Sequence, residues 1–541
     1  MTYHPKLGVQ GPVLGWNDPW NRAGSDRLMR TGTGKMIPPQ EPDVEPETYL
    51  AALKELGAEF YVHHLFPDLQ ELPALLEDCR KFGLRLVIGN EYGNINGPWS
   101  EGSNRYDLPP DVVRTLADSG LLEALLYDEP EHLQINAAQY RKGEWLPHWG
   151  RVQADSLREA HDQFAENVRA ALAPLSDALG DDRPILSEQV FPTLFHAQAR
   201  AGMTPAPKIM KESFHPLQLG TALGAAKQYG RALWICADLW GPDAGPWPIR
   251  LSGFPGHSPA EFASALRLGY HMGPSHLFVE NIDGLLRTSE GRKLEATEFG
   301  EAWLRFVREY VPAHPLPYRH EQARASIAIV HSDDSNYGQN ERPFGMRELP
   351  LPERSQSIFH AWRLATRGAV PAHGSCLHIP GFSFPRHALQ FSEQPVKYPL
   401  PEGVPAGRFG DPIHPLFQPA NSVLAFDAYA TAKDIGDPSL ILLAGSYISD
   451  GTLAACRKLA EGGATVIAGG WLLPEELRRP QRWSGGGSWQ PVDSLLGEVA
   501  RELAAPHLGS DKLWRQRFGD HTVRISPADN DGFSLHIEIE S

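Results

Sequence analysis

The sequence predicts an α/β protein in which a (β/α)8 barrel is followed by a doubly wound α/β unit and a small β unit. Three observations lead to this fold class. From residue 8 to about residue 320, eight strand-like apolar runs alternate with helix-like segments, which is the pattern of a barrel. Three prolines within 311–324 then mark a linker. Beyond it, apolar runs at 327–330 and 440–443 again alternate with helical segments, as in doubly wound sheets.

The barrel elements follow in chain order from simple signals. Strands are predicted at short apolar runs, and helices where apolar residues recur at helical spacing. One helix also opens with Ser258-Pro259-Ala260-Glu261, which is a capping signal. The predicted strands lie at 8–17, 59–65, 84–90, 121–127, 184–188, 207–211, 232–237 and 275–279, and the predicted helices at 46–56, 69–82, 111–118, 155–179, 217–229, 258–270 and 300–310.

The segments after the linker predict the second and third units. No G-x-G-x-x-G or P-loop opens a helix there, so no nucleotide cofactor is expected. A stretch rich in Pro, Phe and His at 376–425 is interpreted as a long ordered loop, and the glycines of 484–488 as a flexible break. The predicted elements are strands at 325–333, 440–445, 464–469, 521–525 and 532–540 and helices at 353–367 and 450–462, which set domain limits of 1–311, 325–475 and 488–541.

Composition excludes several classes of function. The 541 residues carry a formal net charge of −16, which disfavours nucleic acid as a partner. Cys79, Cys236, Cys376 and Cys456 are far apart and lie in apolar or helical contexts, so we expect free thiols. The first residues lack the pattern of a signal peptide, and no apolar run is long enough to span a membrane. We therefore expect a soluble cytoplasmic protein.

Polar side chains follow every predicted barrel strand. The sharpest case is the apolar run that ends in Tyr127-Asp128-Glu129-Pro130-Glu131. Pro130 has no N–H to continue a strand ladder, so these carboxylates lie at the C-terminal tip of the fourth strand. That rim of a barrel is where active sites are built. The other tips carry Trp16-Asn17, His63-His64, Asn90-Glu91, Glu188-Gln189, Glu212, Asp238-Leu239-Trp240 and Glu280-Asn281.

Paired carboxylates at such a rim are what glycoside hydrolysis requires, because one protonates the leaving oxygen and the other acts as nucleophile or base. Glu129 is the predicted general acid. Its partner stays open among Glu280, Asp238 and Glu212, which all follow apolar strands. The expected substrate is a small oligosaccharide or glycoside. Its predicted binding residues are Trp16, Asn17, Glu91, Asp128, Glu188 and Trp240.

Two other functions compete with this hypothesis. One is a metal-dependent barrel hydrolase or lyase, and the other is a carbohydrate-binding barrel in which the acids only hold hydroxyls. His63 and His64 are adjacent in a strand and so point to opposite faces. The sequence contains no H-x-H, H-E-x-x-H or G-x-S-x-G. We therefore expect neither a metal nor a serine nucleophile.

The order of a barrel, a proline-marked linker, an amidotransferase-like α/β domain and a small β domain resembles the bacterial beta-galactosidases of glycoside hydrolase family forty-two. The segment 327–335, with Asp333-Asp334-Ser335, is similar to the start of that family's second domain. The resemblance implies an acid/base at the position of Glu129 and a nucleophile at the position of Asp238, where the family has Glu. It is a resemblance in domain order, which also fits a divergent or separate family.

We predict a homo-oligomer to which the 325–475 domain contributes, because the equivalent domain of the resembled family lies at subunit contacts. The loop at 376–425 adds Phe382, Phe384, Phe391 and Phe417, and monomers rarely expose so much apolar surface in one patch. Light scattering at micromolar concentration should give the mass of two or more chains. The mass of a single chain would contradict the oligomer and indicate that the loop covers its own barrel mouth.

Overall fold

The structure is a computed structural model that describes residues 2–12, 19–21, 29–30, 36–37, 44–64, 70–90, 100–103, 105, 107–135, 146–180, 183–210, 215–239, 258–289, 293–332, 344, 353–370, 416–530 and 532–541. Its first part is a closed barrel of eight parallel strands, which confirms the predicted fold class. Each strand pairs with the next along the chain, and the eighth pairs with the first. The strands are β1 Lys6–Gln10, β2 Phe60–His64, β3 Arg85–Asn90, β4 Leu122–Asp128, β5 Ile185–Gln189, β6 Thr204–Ile209, β7 Trp234–Asp238 and β8 His276–Glu280.

Helices surround the barrel and begin and end at ordinary capping signals. Ser258 accepts the backbone N–H of Glu261 in the predicted capping box, and Gly83 ends a helix in the left-handed region. In the described part of the chain, no helix is long and apolar enough to cross a membrane. The helices are α1 Pro46–Glu55, α2 Leu72–Phe82, α3 Pro110–Asp118, α4 Pro130–Ile135, α5 Leu157–Leu179, α6 Phe195–Ala201, α7 His215–Tyr229, α8 Pro259–His271 and α9 Glu298–Arg305.

The barrel interior is filled by side chains from alternate strand positions. Trp234 stacks on His276 with 3.7 Å between ring centroids, and Phe60 packs edge-on against Trp234. Because side chains in a strand alternate between its two faces, every second residue of a strand faces this interior. The buried apolar side chains there are Phe60, Val62, Val87, Ala124, Leu126, Leu186, Ala206, Trp234, Cys236 and Phe278.

A second sheet of six strands follows, and it confirms the doubly wound unit. The strands are β9 Ile327–His331, β10 Val423–Asp427, β11 Leu440–Leu443, β12 Thr465–Gly469, β13 Gln481–Arg482 and β14 Ser488–Val492, with helices α10 Ser357–Ala365, α11 Asp450–Glu461 and α12 Glu498–Ala504. The spatial order of the strands is β10-β9-β11-β12-β14-β13, with only β13 antiparallel to its neighbour.

Two predictions for this sheet were wrong. The interpretation of 376–425 as a loop fails at its end, because β10 begins at Val423 and pairs with β9. Residues 371–415 lie outside the described part of the chain. The glycines of 484–488 are not a break but the tight turn between β13 and β14, where the Trp483 N–H donates to Gly487. Glycine tolerates the left-handed conformation that Gly486 adopts in this turn.

A small antiparallel sheet closes the chain and confirms the predicted β unit. Its main strands are β15 Trp514–Phe518, β16 His521–Pro527 and β17 Leu535–Glu540. The backbone N–H of Leu535 donates to the Ser264 hydroxyl on α8, so this sheet touches the barrel. Domain limits of 1–311, 325–475 and 488–541 stay a prediction, since strand pairing defines sheets and not folding units.

Helix α7 joins the barrel to the second sheet at very close range. A Cβ atom at Gly224 would lie 1.7 Å from the carbonyl oxygen of Ala425 on β10, so only glycine fits there. At the end of the helix, the side chains of Gln228 and Tyr229 both donate to the Asp427 carboxylate. The second sheet is therefore held against the barrel wall by backbone contact and by hydrogen bonds.

We predict that Gly224→Ala destabilises the protein, because the new methyl group pushes α7 away from β10. Overpacking of this kind costs roughly 1–3 kcal/mol or more. The matched control is Gly451→Ala on α11, where a Cβ atom meets nothing nearer than 4.0 Å. Thermal unfolding should show a lower Tm for Gly224→Ala only, and equal Tm values for the two variants would contradict the prediction.

Candidate active site

The candidate site lies one layer above the apolar interior of the barrel. Leu126, Leu186, Ala206, Cys236 and Phe278 face inward, so the residues two positions further along their strands face inward as well. These side chains form a charged layer at the C-terminal ends of five neighbouring strands. They are Asp128 on β4, Glu188 on β5, Lys208 on β6, Asp238 on β7 and Glu280 on β8.

The Lys208 ammonium is the centre of this layer. Its Nζ donates hydrogen bonds to Glu280 Oε2 at 2.6 Å and to Glu129 Oε1 at 3.2 Å. Asp128 Oδ1 lies 2.9 Å from the same nitrogen. Lys208 is 1% exposed, and each carboxylate around it is at most 5% exposed. Two carboxylate oxygens complete the group, Glu188 Oε1 at 3.8 Å and Asp238 Oδ2 at 3.9 Å.

Glu129 owes its position to an unusual backbone conformation. Its φ of 44° lies in the left-handed region, which non-glycine residues adopt rarely and at a cost of about 1–3 kcal/mol. The Glu129 N–H donates to the Glu188 carbonyl at 2.8 Å, and Pro130 then starts α4 directly. This sharp change from strand to helix lets Glu129 and Asp128 both reach Lys208, although they are adjacent in sequence.

Glu280 and Asp238 lie level with each other at the ends of β8 and β7. The Leu239 N–H donates to the Glu280 carbonyl at 2.6 Å and fixes the two strand ends together. Asn281 follows in a cis peptide and caps the next turn by accepting the Gly284 N–H at 3.1 Å. The two carboxylates are thus presented side by side at the rim.

Glu131, in the first turn of α4, supports the site. Its Oε1 accepts the backbone N–H groups of Val190 and Phe191 at 2.8 and 3.2 Å, and its side chain is fully buried. Burial raises the pKa of Glu131 to about 8, and the neighbouring Glu129 adds to this shift. Glu131 therefore fixes the start of the β5–α6 connection and holds a proton at neutral pH.

Burial also raises the pKa of two acids in the layer. Burial raises the pKa of Asp128 well above its ordinary range and that of Glu188 to about 8, against the lowering effect of Lys208. Burial would lower the pKa of Lys208, but Asp128, Glu188, Glu280 and Glu129 together raise it. The layer thus combines one ammonium with buried acids, of which Glu188 is neutral at pH 7 and can donate a hydrogen bond to a ligand.

The structure brings together five of the residues predicted from the sequence. Glu129, Asp128, Glu188, Asp238 and Glu280 all surround one nitrogen. Their roles stay a prediction, since no bound ligand defines them. The other predicted site residues lie outside the described part of the chain, namely Trp16, Asn17, Glu91, Glu212 and Trp240.

Sequence reasoning missed Lys208. The sequence predicts the sixth strand at 207–211, whereas β6 is Thr204–Ile209, and Lys208 is not among the predicted site residues. Pro205 and Pro207 occupy the outward-facing positions of this strand, where Ala206 and Lys208 face inward. The alternation of Thr204, Ala206 and Lys208 was the signal that could have found the lysine.

One cluster of side chains among the described residues resembles a set of metal ligands. Donor atoms of Glu188, Cys236 and Glu280 lie within 4.8 Å of one another. The Lys208 ammonium already neutralises this group, at 2.6 Å from Glu280 and 3.8 Å from Glu188. Burial also raises the pKa of the Cys236 thiol well above its ordinary range, whereas a metal requires the thiolate. We therefore assign no metal ligands here.

No protein-family model matches this chain, and no curated protein sequence does. Among solved structures, an exo-beta-1,4-mannosidase from Opitutaceae bacterium strain TAV5 aligns over 99% of this chain and 86% of its own, at 11% identity and a TM-score of 0.44. The catalytic domain of a beta-amylase from Paenibacillus polymyxa covers 58% of this chain and 100% of its own, at 10% identity and a TM-score of 0.33.

A D-psicose 3-epimerase from Clostridium cellulolyticum also aligns, over 53% of this chain and 87% of its own, at 12% identity and a TM-score of 0.27. The similar structures thus include a hydrolase of glycosides and an epimerase of free sugars. At such identities and TM-scores the matches assign neither a family nor a reaction. The resemblance to glycoside hydrolase family forty-two stays a prediction.

We predict that Glu131→Gln gains stability relative to the wild type as the pH rises. The folded-state pKa of Glu131 is raised to about 8, above the ordinary value of about 4.3. Its contribution to stability is therefore complete below about pH 4 and is lost as the pH rises through about 8. Glutamine does not titrate and keeps an oxygen that can accept the two backbone N–H groups.

The measurement is Tm at pH 5, 7 and 9 for both proteins. The difference in Tm between variant and wild type should become more positive with pH. Parallel curves would show that Glu131 has an ordinary pKa.

Proposed function

We propose that this protein is a glycoside hydrolase for a small carbohydrate substrate, with Glu129 as general acid and base and Glu280 as nucleophile. One observation carries the proposal. Both carboxylates accept hydrogen bonds from the same Lys208 nitrogen, at 3.2 and 2.6 Å. Their bonded oxygens are therefore at most about 5.8 Å apart, the sum of the two contacts. Both lie at one barrel rim, Glu129 directly after β4 and Glu280 at the end of β8.

The upper limit on the distance between the Glu129 and Glu280 oxygens supports a retaining reaction. Retaining glycosidases hold their carboxyl groups about 5–5.5 Å apart, whereas inverting enzymes need about 6.5–9.5 Å to admit a water molecule. In the retaining reaction Glu129 gives its proton to the glycosidic oxygen while Glu280 forms an ester bond to the anomeric carbon. Glu129 then removes a proton from water, which attacks that carbon and releases Glu280.

The neighbouring carboxyl groups suit the sugar hydroxyls. Burial raises the pKa of Glu188 to about 8, so at neutral pH it carries a proton and offers a donor as well as an acceptor. Burial raises the pKa of Asp128 as well. Asp238 is the alternative nucleophile by its place on β7, but it lies 3.9 Å from Lys208 Nζ where Glu280 lies at 2.6 Å. A carbohydrate-binding barrel would use the same groups without turnover, so mutational kinetics decides between the two functions.

We predict that Glu129→Gln lowers kcat by about 10²–10⁴-fold on a substrate with a poor leaving group, because general acid help is lost. A nitrophenyl glycoside with a good leaving group should lose less in its bond-breaking step. The matched control is Glu123→Gln at the other end of β4, where Glu123 only pairs with Lys6 and Arg85. A panel of nitrophenyl glycosides serves first to find a substrate.

Near-normal kcat for Glu129→Gln on the poor leaving group would remove Glu129 from the proposal. No turnover by the wild type on any glycoside, together with measurable sugar binding, would favour the binding barrel.

We predict that Glu280→Ala loses hydrolysis and that sodium azide restores turnover by attacking the anomeric carbon in place of the carboxylate. The product should be a glycosyl azide of inverted configuration. Asp238→Ala is the comparison, since Asp238 lies level with Glu280 on the adjacent strand. Rescue of Asp238→Ala instead of Glu280→Ala would transfer the nucleophile to β7.

A further inference from the structure

We propose that Lys208 is a positioning residue whose ammonium keeps Glu280, among the acids of the rim, as the ionised carboxylate aimed at the substrate. The inference rests on the proposed function, since it concerns the nucleophile of that reaction. It assigns a role to a residue that the strand-tip pattern does not contain, because Lys208 lies inside β6 and not after it.

The distances rank the carboxylates around the ammonium. An ammonium has three donors, and five carboxylates approach this one. The shortest contact, 2.6 Å, goes to Glu280. Hydrogen bonds between ionised partners are short and about twice as strong as neutral ones. The ammonium thus stabilises the charge on Glu280 more than the charge on Glu129, which lies 0.6 Å farther away by the same measure.

Lys208 has little freedom to move from this place. Its backbone pairs with Cys236 on β7, and its carbonyl accepts from Gln218 on α7 at 3.4 Å. Its side chain is 1% exposed. A buried ammonium that left its carboxylates would leave uncompensated charges on both sides, which is strongly unfavourable. The ion pair therefore holds the Glu280 side chain in one orientation.

Among the described residues, the other titratable groups paired with the ammonium are acids, and they come from β4, β5, β7 and β8. Asp128 and Glu129 face it from β4 and the start of α4, Glu188 from β5, and Asp238 with Glu280 from β7 and β8. Glu131 and the Cys236 thiol lie just behind them. Without Lys208 the nucleophile would lie among acids, with no cation beside it to favour its ionised form.

The test compares Lys208→Met, which removes the charge, with Lys208→Arg, which keeps it. A cation within about 4–6 Å lowers a carboxylate pKa by roughly 1–3 units. In Lys208→Met the acidic limb of the kcat/KM profile should therefore move upward by about 1–3 pH units. In Lys208→Arg the limb should stay at the wild-type pH, even where kcat falls because the longer side chain displaces the carboxylates.

A second readout reports on the nucleophile directly. The 2-deoxy-2-fluoro derivative of the best sugar traps the nucleophile as an ester, and peptide mass analysis should place the label on Glu280. The pH dependence of trapping should shift in Lys208→Met as it does for kcat/KM. A residue with a merely structural role would lower rates or stability without moving either limb.

A double variant serves as the control for the case in which Lys208→Met misfolds. If Lys208→Met does not fold, Lys208→Met/Glu188→Gln removes one buried acid together with the cation, and it is compared with Glu188→Gln alone. The same upward shift in the double variant supports the proposal. An acidic limb that stays in place in a folded, active Lys208→Met or double variant overturns it, while the proposed function survives. A wild type that neither hydrolyses nor is labelled overturns the proposed function, and the role of Lys208 with it.

Discussion

The contact between one ammonium and several carboxylates is the constraint on which the rim depends. Asp128, Glu129, Glu188, Asp238 and Glu280 are each at most 5% exposed, and even after relaxation a buried ion costs several kcal/mol. Lys208 offsets part of this cost, and the proton retained on Glu188 at neutral pH offsets more. The barrel can therefore bury acids that would otherwise repel one another, and it holds Glu129 and Glu280 close enough to act as a pair.

The acids of this rim could be predicted from the sequence because their signal is local. An apolar run followed by an acid marks the strand tips at Asp128, Glu188, Asp238 and Glu280, and Pro130 fixes the end of β4. Lys208 could not be found in that way. It is inside its strand, and its ion pairs join residues that are 20 to 80 positions apart in the chain. Only the closed barrel shows which acids Lys208 pairs with.

The same distinction between local and long-range signals explains which strands could be predicted from the sequence. Alternating strands and helices predicted the barrel and β9, β11 and β12, since each is a compact apolar run with turn signals on both sides. Strand β10 was missed because its run, Val423–Asp427, follows a stretch dominated by Pro, Phe and His. What makes it a strand is long-range pairing with β9 and packing under the glycines of α7. The local sequence around Val423 contains neither β9 nor α7, so it could not predict this strand.

The second sheet and the candidate site are joined by a short path of buried contacts. Glu131 holds the backbone of Val190 and Phe191 at the start of the β5–α6 connection. At its other end, the His196 side chain on α6 hydrogen-bonds the carbonyl of Ala425 on β10 at 3.0 Å. Burial lowers the pKa of His196, so the imidazole is neutral and its Nε2 carries the proton that it donates to this carbonyl. The β5–α6 connection, which holds α4 and with it Glu129 through Glu131, is therefore also held by the second sheet. The sheet thus acts as a structural support for the catalytic acid of the proposed reaction, which gives this domain a role without a ligand motif of its own.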